Sequence, residues 1–523
     1  MSVELPPPAT PQQGTVEQLQ SQAGSGITVT FQNYQLHVAA GDILDQETVQ
    51  NAVGLADNLS NAVRNIGAAA YLAGYPASQV TYALSGQDLY VLVIPGKISG
   101  IRASEALKPY LEGLETADPL RDSDLEGKRV LASMAADRAG ITVFPVFEPD
   151  GNGGQVLDFE KNNKASNANT VRAEFGNPGN RYASRYFGDL EVKTTSIWGD
   201  EFRVFAREGF QHLDANQHPG DYHEENAGWN RVTPWGVFGI NGRNINYNYN
   251  SDGTNAGTPL NGHIWMGEAL WLYPIHSSFN SRWNVQAKVD RTSKAAKLDD
   301  TATTLSVVYQ RELYTSAELS TTYASNFLFI GHNWNFTGGV AARKGFGEND
   351  ANFDFNSLPV HGDQAYLLFR PAATLKFFWN NSIATGIEAS GQYSKDAVPE
   401  QQQLVLGGMG NLTSSLPGVI VGDTGYLARA FTEVMLPITD GLVLQPKIFA
   451  ERGSAKFSKS SSSSLSGKDF QTLNDAGVEL GIKFTQMIDA SVSYAKSFND
   501  KNIGEVVKDA SDARLFFRVS IKL

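Results

Sequence analysis

The chain has 523 residues and a formal net charge of -13, which argues against a general nucleic-acid binder because such proteins carry a basic footprint. No stretch approaches the ~20 consecutive apolar residues that a transmembrane helix needs. The chain contains no cysteine, which fits an oxidising compartment where stray thiols are a hazard. Its first residues, MSVELPPPATPQQG, lack the basic start and apolar run of a signal peptide, so an exported chain would be in its mature form.

The first segment, residues 1–26, is rich in proline, glutamine and serine, which is typical of a linker. Within it, TVEQLQSQA has the composition of a short helix. The sequence leaves two interpretations open, an N-terminal linker or a helix that plugs a pore.

Two small α/β units follow, at residues 27–103 and 104–165. In the first, the strand region ITVTFQNYQLHV precedes a helix predicted from Ser60, as N-cap, to Gly74, as C-terminal stop. The strands QVTYAL and LYVLVIPGKISGI complete it. In the second, the helix of RDSDLEGKRVLASMAADRAG is followed by the short strands ITVFPVFEP and QVLDFEK. Both units are small domains with little core of their own.

The pattern changes in the remaining residues, 166–523, where alternating apolar and polar segments follow one another with turn signals between them. The last segment, RLFFRVSIKL, shows the alternation most clearly. One face carries Leu515, Phe517, Val519, Ile521 and Leu523, and the other carries Arg514, Phe516, Arg518, Ser520 and Lys522. This period of two predicts a strand with an apolar face and a polar face.

Three features favour a membrane barrel over a soluble β-sandwich. The strand pattern is too long for one sandwich, short connections (WGDE, PITDG, QMID) alternate with long ones, and aromatic residues gather near strand ends. At roughly 22 residues per strand and connection, the segment holds about 16 strands. The predicted fold class is therefore mainly β, an antiparallel transmembrane barrel of about 16 strands preceded by two small α/β domains.

The order of these units resembles the two-partner-secretion transporters of TpsB type, in the superfamily of POTRA domains and outer-membrane barrels. Three stretches carry the resemblance, one in each α/β unit and one at the start of the barrel. They are VRNIGAAAYLAGYPASQVTYALSGQDLYVLVIPGKISGI, LRDSDLEGKRVLASMAADRAGITVFPVFEPDGNGGQVLDFE and FGNPGNRYASRYFGDLEVKTTSIWGDEFRVFA. The resemblance implies a monomer in the bacterial outer membrane, with its POTRA domains in the periplasm. It also implies a secreted polypeptide as partner and lipid, including lipopolysaccharide, as surroundings, with no cofactor, metal or nucleic acid.

The stretch LGGMGNLTSSLPGVIVGDTGYL falls where that family has a sixth outer loop that folds back into the lumen. The positions implied for this pore loop are Gly407, Gly408, Leu412, Thr413, Ser414, Ser415, Gly422, Asp423 and Gly425. The family's Val-Arg-Gly-aromatic tetrad is missing, since its positions fall on Leu412 to Ser415. The implied partners on the inner barrel wall are Phe449, Glu451 and Gly453. Without an arginine at its tip, we expect the loop to be held less tightly or by other residues.

The first small unit also offers candidate contacts for an extended client, because exposed strand edges accept an added strand. These candidates are Tyr71, Tyr75, Val80, Tyr82 and Leu84, for which simple core packing is the alternative. Three function hypotheses remain open, a polypeptide transporter, a docking or insertion factor with the same fold, and a passive porin.

Enzyme and metal signatures do not alter these hypotheses. The chain lacks G-x-S-x-G, H-E-x-x-H and phosphate-loop motifs, so no catalytic residue is assigned. The histidines and acids between His212 and Glu225 are ligand types that suit zinc, but their spacing is irregular and predicts a solvated outer loop.

Overall fold

A computed structural model describes most of the chain, and all structural statements below concern these residues. They are 7–150, 154–161, 163–165, 169–180, 184–213, 221–250, 259–300, 305–347, 353–354, 365–458, 469–485, 487–505, 508 and 512–523. Within these ranges, no helix combines the length and the apolarity that crossing a membrane requires.

The first unit is a five-stranded sheet with helices on both faces. Its elements are β1 (Gln12–Gln13), α1 (Val16–Ala23), β2 (Ile27–Phe31), β3 (Tyr34–Ala39), α2 (Gln46–Gly54), α3 (Leu59–Leu72), β4 (Gln79–Ser85) and β5 (Asp88–Ile94). The strand order is β1-β4-β5-β3-β2. The apolar faces of α2 and α3 pack on one side of this sheet, around Leu36, Val38 and Ile66.

Helix α3 begins slightly earlier than the sequence predicted. Its N-cap is Asn58, whose side chain accepts a hydrogen bond from the Asn61 amide at 2.9 Å, and Ser60 lies inside the first turn. The prediction of Ser60 as the cap was therefore wrong by two residues. The helix stops as expected before Gly74, whose φ of +91° suits a residue without Cβ.

The N-terminal segment belongs to this first sheet. Strand β1 pairs in parallel with β4, and α1 covers the sheet face opposite α2 and α3. Leu19 and Ala23 of α1 are buried against Ala83 and Tyr90. In the described residues, α1 thus lies on the sheet and not in the barrel lumen.

The second unit has a three-stranded sheet and one long helix. Its elements are β6 (Ile98–Arg102), α4 (Lys108–Leu111), α5 (Asp122–Arg138), β7 (Ile141–Thr142), β8 (Val146–Pro149), β9 (Gln155–Asp158) and β10 (Lys164–Ala165). The sheet order is β6-β9-β8, and β10 pairs with β7.

The remaining strands form a closed antiparallel barrel and a small hairpin. They are β11 (Thr170–Gly176), β12 (Phe187–Thr195), β13 (Asp200–Gly209), β14 (Asp221–Thr233), β15 (Gly236–Asn250), β16 (Pro259–Ser277), β17 (Ser281–Asp300), β18 (Leu305–Phe329), β19 (His332–Gly347), β20 (Phe353–Asp354), β21 (Leu367–Phe378), β22 (Ile383–Ser394), β23 (Leu404–Leu406), β24 (Ile420–Gly422), β25 (Thr424–Val434), β26 (Leu436–Thr439), β27 (Leu442–Lys456), β28 (Gln471–Phe484), β29 (Ile488–Lys501) and β30 (Leu515–Lys522). Short β20 adds to β18, β26 continues β25, and β23 pairs only with β24. The described part thus contains a barrel of 16 strands, which confirms the predicted fold class.

The barrel closes where β11 pairs with β30, over the residues from Arg172 opposite Lys522 to Gly176 opposite Arg518. Closure leaves no strand edge unpaired, which is the condition for a sheet in lipid. The predicted polarity of the last strand is confirmed, since Leu515, Val519 and Ile521 are 39–51% exposed on the outside. Such an outer face is apolar because it contacts hydrocarbon.

The second unit contacts the barrel at three short turns. The Tyr110 hydroxyl donates to the Val232 carbonyl oxygen at 2.8 Å, and Arg138 donates to that of Gly199 at 3.0 Å. The Phe279 amide donates to Asp122 at 3.3 Å. The three turns join β12 to β13, β14 to β15 and β16 to β17, so they lie at one mouth of the barrel, and the turn at Gly199 is the short connection WGDE noted in the sequence. The α/β units lie at this mouth.

Candidate functional site

The segment between β22 and β25 packs against the inner face of the barrel wall. Its hairpin β23–β24 and Leu412 are buried against Ala455 and Leu473 on the inner wall. Gly453 makes room for this contact, because a Cβ there would lie 2.7 Å from Leu412 Cδ1. Leu412 itself has a φ of +59°, which an L residue rarely adopts. We call residues 404–422 the lumen loop.

The tip of the lumen loop presents backbone amides to two carboxylates. The Thr413 N–H donates to Glu451 Oε2 at 2.8 Å, and the Ser414 N–H donates to Asp475 Oδ2 at 2.8 Å. Inside the tip, the Gly408 N–H donates to the Ser415 carbonyl oxygen at 2.7 Å. The contact of the loop with Glu451 is therefore made by the Thr413 backbone amide, and a second carboxylate, Asp475, accepts from the next amide.

The arginine missing from the loop has a counterpart on the barrel wall. Arg429 of β25 stands directly opposite Glu451 of β27 in the strand register. Its Nε lies 3.3 Å from Glu451 Oε1, and its Nη2 lies 3.2 Å from Glu479 Oε2. The guanidinium also lies over the Phe449 ring, 4.3 Å from its centroid. Arg452, the residue after Glu451, instead donates to the Tyr426 hydroxyl at 2.9 Å.

The base of the loop is fixed by Asp423, which is fully buried. Its carboxylate accepts from the Val398 amide at 3.1 Å and from the Ser458 amide at 2.8 Å. Gly422 and Gly425 border it, and a Cβ at Gly422 would lie 2.6 Å from the Lys456 carbonyl oxygen. These glycines allow the loop backbone to pass close to β27.

The descending limb before β23 is anchored to β21, β22 and β17 of the wall. Arg370 donates to the Gln402 carbonyl oxygen at 2.9 Å, and Gln392 donates to the same oxygen at 2.9 Å. Lys294 and Glu400 form an ion pair. The loop is thus held at its limb, tip and base, and its tip contacts are the ones made by neutral backbone groups.

A cavity of ≈480 Å³ lies in the lumen next to the loop tip. Met409 and Gly410 of the loop border it, with Glu174, Arg207, Glu479 and Arg518 on the wall. Its lining carries both positive and negative side chains, so it would not strongly retain a passing polypeptide of either net charge.

The candidate residues of the first α/β unit have different surroundings. Tyr71 is 4% exposed and stacks on Phe279 of the barrel with ring centroids 4.6 Å apart, and burial raises the pKa of its hydroxyl. The Tyr75 ring lies under the Arg121 guanidinium, 3.9 Å away. Tyr71 therefore joins the unit to the barrel and is not free to bind a client. The remaining three candidates lie on β4.

Strand β4 is next to the edge of its sheet, and its own chain covers only part of it. Val80 is buried in the core, Tyr82 is half-buried and Leu84 is 47% exposed. Strand β1 pairs with Thr81 and Tyr82, and the Gly14 N–H donates to the Tyr82 carbonyl oxygen at 2.9 Å. Strand β4 extends beyond this short pairing with β1 at both of its ends.

The histidines and acids between His212 and Glu225 do not form one site in the described residues. Asp214 and His218 lie outside the described residues, and the outer-loop prediction is wrong for His223, which is on β14. Its ring contacts Glu208 and Glu225 at 2.6 and 3.1 Å, whereas the neighbouring Glu224 turns inward to Arg243. In the described residues, no group of three or more His, Cys, Asp or Glu side chains is placed to hold a metal ion. The serine run 460–464 also lies outside those residues.

Sequence reasoning missed Asp475 and Arg429. Both lie on strands whose alternation is visible, in QTLNDAGVELGIKF and TGYLARAFTEV. A charged residue on the polar face of a strand was the available signal, but pairing with Glu451 depends on the register.

Comparison with known proteins agrees with this fold. No family model matches the chain. It is 23% identical over 353 residues to the heme/hemopexin transporter protein HuxB of Haemophilus influenzae, across 66% of this chain and 58% of HuxB. The chain thus matches a little over half the length of this curated relative.

Two solved structures are similar over nearly their whole length. CdiB from Escherichia coli has a TM-score of 0.67 at 14% identity, covering 93% of this chain and 90% of CdiB. CdiB from Acinetobacter baumannii has a TM-score of 0.62 at 12% identity, covering 100% and 95%. At these identities the likeness establishes the fold. The chain therefore has the fold of these proteins, a closed 16-stranded antiparallel β-barrel preceded by two α/β domains, as the resemblance to two-partner-secretion transporters predicted.

Proposed function

We propose that the protein is an outer-membrane transporter that recruits a secreted polypeptide through its periplasmic domains and releases it through the barrel lumen. The observation that carries the proposal is the lumen loop, which occupies the pore but contacts the wall at its tip through backbone amides. A passive porin needs a free path, whereas a transporter needs an obstruction that moves.

The periplasmic domains would receive the client at the β4 edge. Tyr82 and Leu84 lie on the same face of β4 as Val80, where Tyr82 packs on the core beneath α2 and α3 and Leu84 is exposed. An extended polypeptide that adds to this edge gains main-chain hydrogen bonds, which need no particular sequence. Tyr75 borders the same unit, and Val80 supports the edge from the core.

We propose domains at 27–97, 98–165 and 166–523, with residues 12–23 as an extension of the first domain. The first boundary lies earlier than the 103/104 that the sequence predicted, because β6 (Ile98–Arg102) pairs with β9 in the sheet of the second unit. The partners would be the secreted polypeptide and the surrounding outer-membrane lipid, including lipopolysaccharide. The barrel acts as a monomer in this proposal, because a single chain encloses the whole lumen.

The test is deletion of the gene in producing cells, followed by comparison of the polypeptides in the culture medium. Loss of one or a few polypeptides, restored by the wild-type gene, is the expected result. Unchanged medium with a changed uptake of small solutes would favour a porin, and loss of other outer-membrane proteins would favour an insertion factor. As a matched control, Leu319→Ala alters a lipid-facing side chain and should restore release fully.

A further inference from the structure

The two carboxyl groups under the loop tip face each other. Glu451 of β27 and Asp475 of β28 are direct partners in the strand register, and they are 3% and 0% exposed. Each gives one oxygen to a loop amide, from Thr413 and Ser414. Side chains directly opposite in a ladder have Cβ atoms about 4.5–5.5 Å apart, so the two groups are close by construction.

The second oxygen of each carboxyl group lacks a hydrogen-bond donor among the described residues. Glu451 Oε1 and Asp475 Oδ1 are buried, and no described residue donates a hydrogen bond to either. Because the two residues are direct partners on adjacent strands, these oxygens lie in the same buried space under the loop tip. Ionised carboxylates only accept, so a bond between them requires a proton on one of them.

The cations around Glu451 and Asp475 are too few to balance the negative charge of the carboxylates there. Arg429 approaches Glu451, but it also pairs with Glu479. The charged groups that face the pair from the adjoining strands are Lys376, Glu388, Arg429, Glu433, Lys447 and Glu479. With the pair itself, this makes five carboxylates and three cations.

Among the described residues, we find no further cation paired with the two carboxyl groups from the elements on the other sides. The lumen loop, residues 404–422, contains no charged residue. Strand β29 presents Ser493 and Ser497 opposite the carboxylates of β28. Before β30, Asp512 and Arg514 pair with each other at 3.0 Å. One proton on the carboxyl pair would therefore reduce an uncompensated negative charge.

We propose that Glu451 and Asp475 share one proton, and that this protonated pair anchors the loop tip in place of an arginine on the loop. Two carboxylates in contact cannot both ionise without strong repulsion, and they titrate as a unit. A singly protonated pair keeps one negative charge beside Arg429 and leaves one acceptor for each loop amide. Asp475 is thus a positioning residue for the loop. The inference rests on the proposed function in taking this loop as the movable obstruction.

The proposal predicts how pH acts on the loop. Removal of the shared proton at high pH adds a second negative charge, so the carboxylates separate and no longer present paired acceptors. Addition of a second proton at low pH leaves two neutral acceptors, whose bonds to the amides are weaker than charge-assisted ones. The loop is held most tightly at intermediate pH, and the pore opens more often on both sides.

The experiment measures opening frequency of the full-length protein in a planar bilayer between pH 5 and 9. The wild type should show a minimum, with about a tenfold rise toward pH 9. Asp475→Asn mimics the protonated partner at every pH, because its amide donates to Glu451 and its carbonyl oxygen accepts from Ser414. This variant should not open more often toward pH 9. If Asp475→Asn does not fold, Glu451→Gln serves instead and should give the same result.

Two further variants complete the design. Asp475→Ala removes the acceptor and should open frequently at every pH. Asp489→Asn neutralises another lumen carboxylate, near Arg518, and should keep the wild-type profile. A flat wild-type profile, or an alkaline rise that persists in Asp475→Asn, would overturn the proposal. Because no client is present, a failed search for the secreted polypeptide would remove the proposed function without altering this result.

Discussion

Truncation of Leu412 tests whether packing at the tip keeps the pore closed. Leu412 is fully buried against Gly453 and the hairpin of the lumen loop. A buried Leu→Ala change costs ~2–5 kcal/mol, and a destabilisation of about 3 kcal/mol is roughly a hundredfold in an equilibrium constant. Since the lost contact joins the loop to the wall, we expect the cost to fall on the docked state of the loop.

The assay is single-channel recording of Leu412→Ala in planar bilayers. We expect the fraction of time spent open to rise by one to two orders of magnitude. Leu319→Ala, which shortens a lipid-facing leucine that is 60% exposed, should behave as the wild type. Resistance of both variants to unfolding in SDS confirms an intact barrel. A folded Leu412→Ala that opens as rarely as the control would refute the reasoning.

Three further predictions concern the wall, the edge strand and the domain joint. Arg429→Gln leaves Glu451 with less compensation, so barrel unfolding should become easier by ~3–5 kcal/mol, measured by thermal unfolding in detergent. A disulfide between Gln12→Cys and Thr81→Cys locks β1 on β4, and it should lower release of the client until a reductant is added. Tyr71→Phe should be tolerated, because the buried hydroxyl has no hydrogen-bond partner among the described residues, whereas Tyr71→Ala should destabilise the joint by ~3–5 kcal/mol.

Each of these has a matched control in the same chain. Thr30→Cys with Gln35→Cys bridges β2 and β3 at the far edge and should leave release unchanged when oxidised. Arg452→Gln removes an outward arginine from the same strand as Glu451 and should cost little. Equal effects of the paired disulfides, or of the two arginine variants, would contradict the assigned roles.

Much of the fold follows from local pattern. The period of two in β30 determines which face meets lipid, and glycines at Gly407 and Gly408, with φ of +113° and +103°, mark where the loop turns. The family resemblance supplied Glu451 and the limits of the loop. These features depend on neighbours in sequence or on the order of elements along the chain, so the sequence alone predicts them.

The residues that hold the tip of the lumen loop could not be predicted from local pattern. Asp475 and Arg429 become partners of Glu451 only through the register of β25, β27 and β28, and a shift by one residue would turn each side chain to the lipid. Strand β1 pairs over two residues, too few for any periodic signal. The arginine expected on the loop is replaced by one on the wall, a change that the loop sequence alone does not reveal.

The most direct test of the account fixes the loop covalently inside the pore. Ser415 of the tip forms a β-bridge with Asp512, so cysteines at these two positions lie within disulfide range, and the chain has no other cysteine. Oxidised Ser415→Cys/Asp512→Cys protein should release none of the client polypeptide into the medium, and a reductant should restore release. Continued release through the cross-linked protein would contradict a pore that opens by movement of its lumen loop.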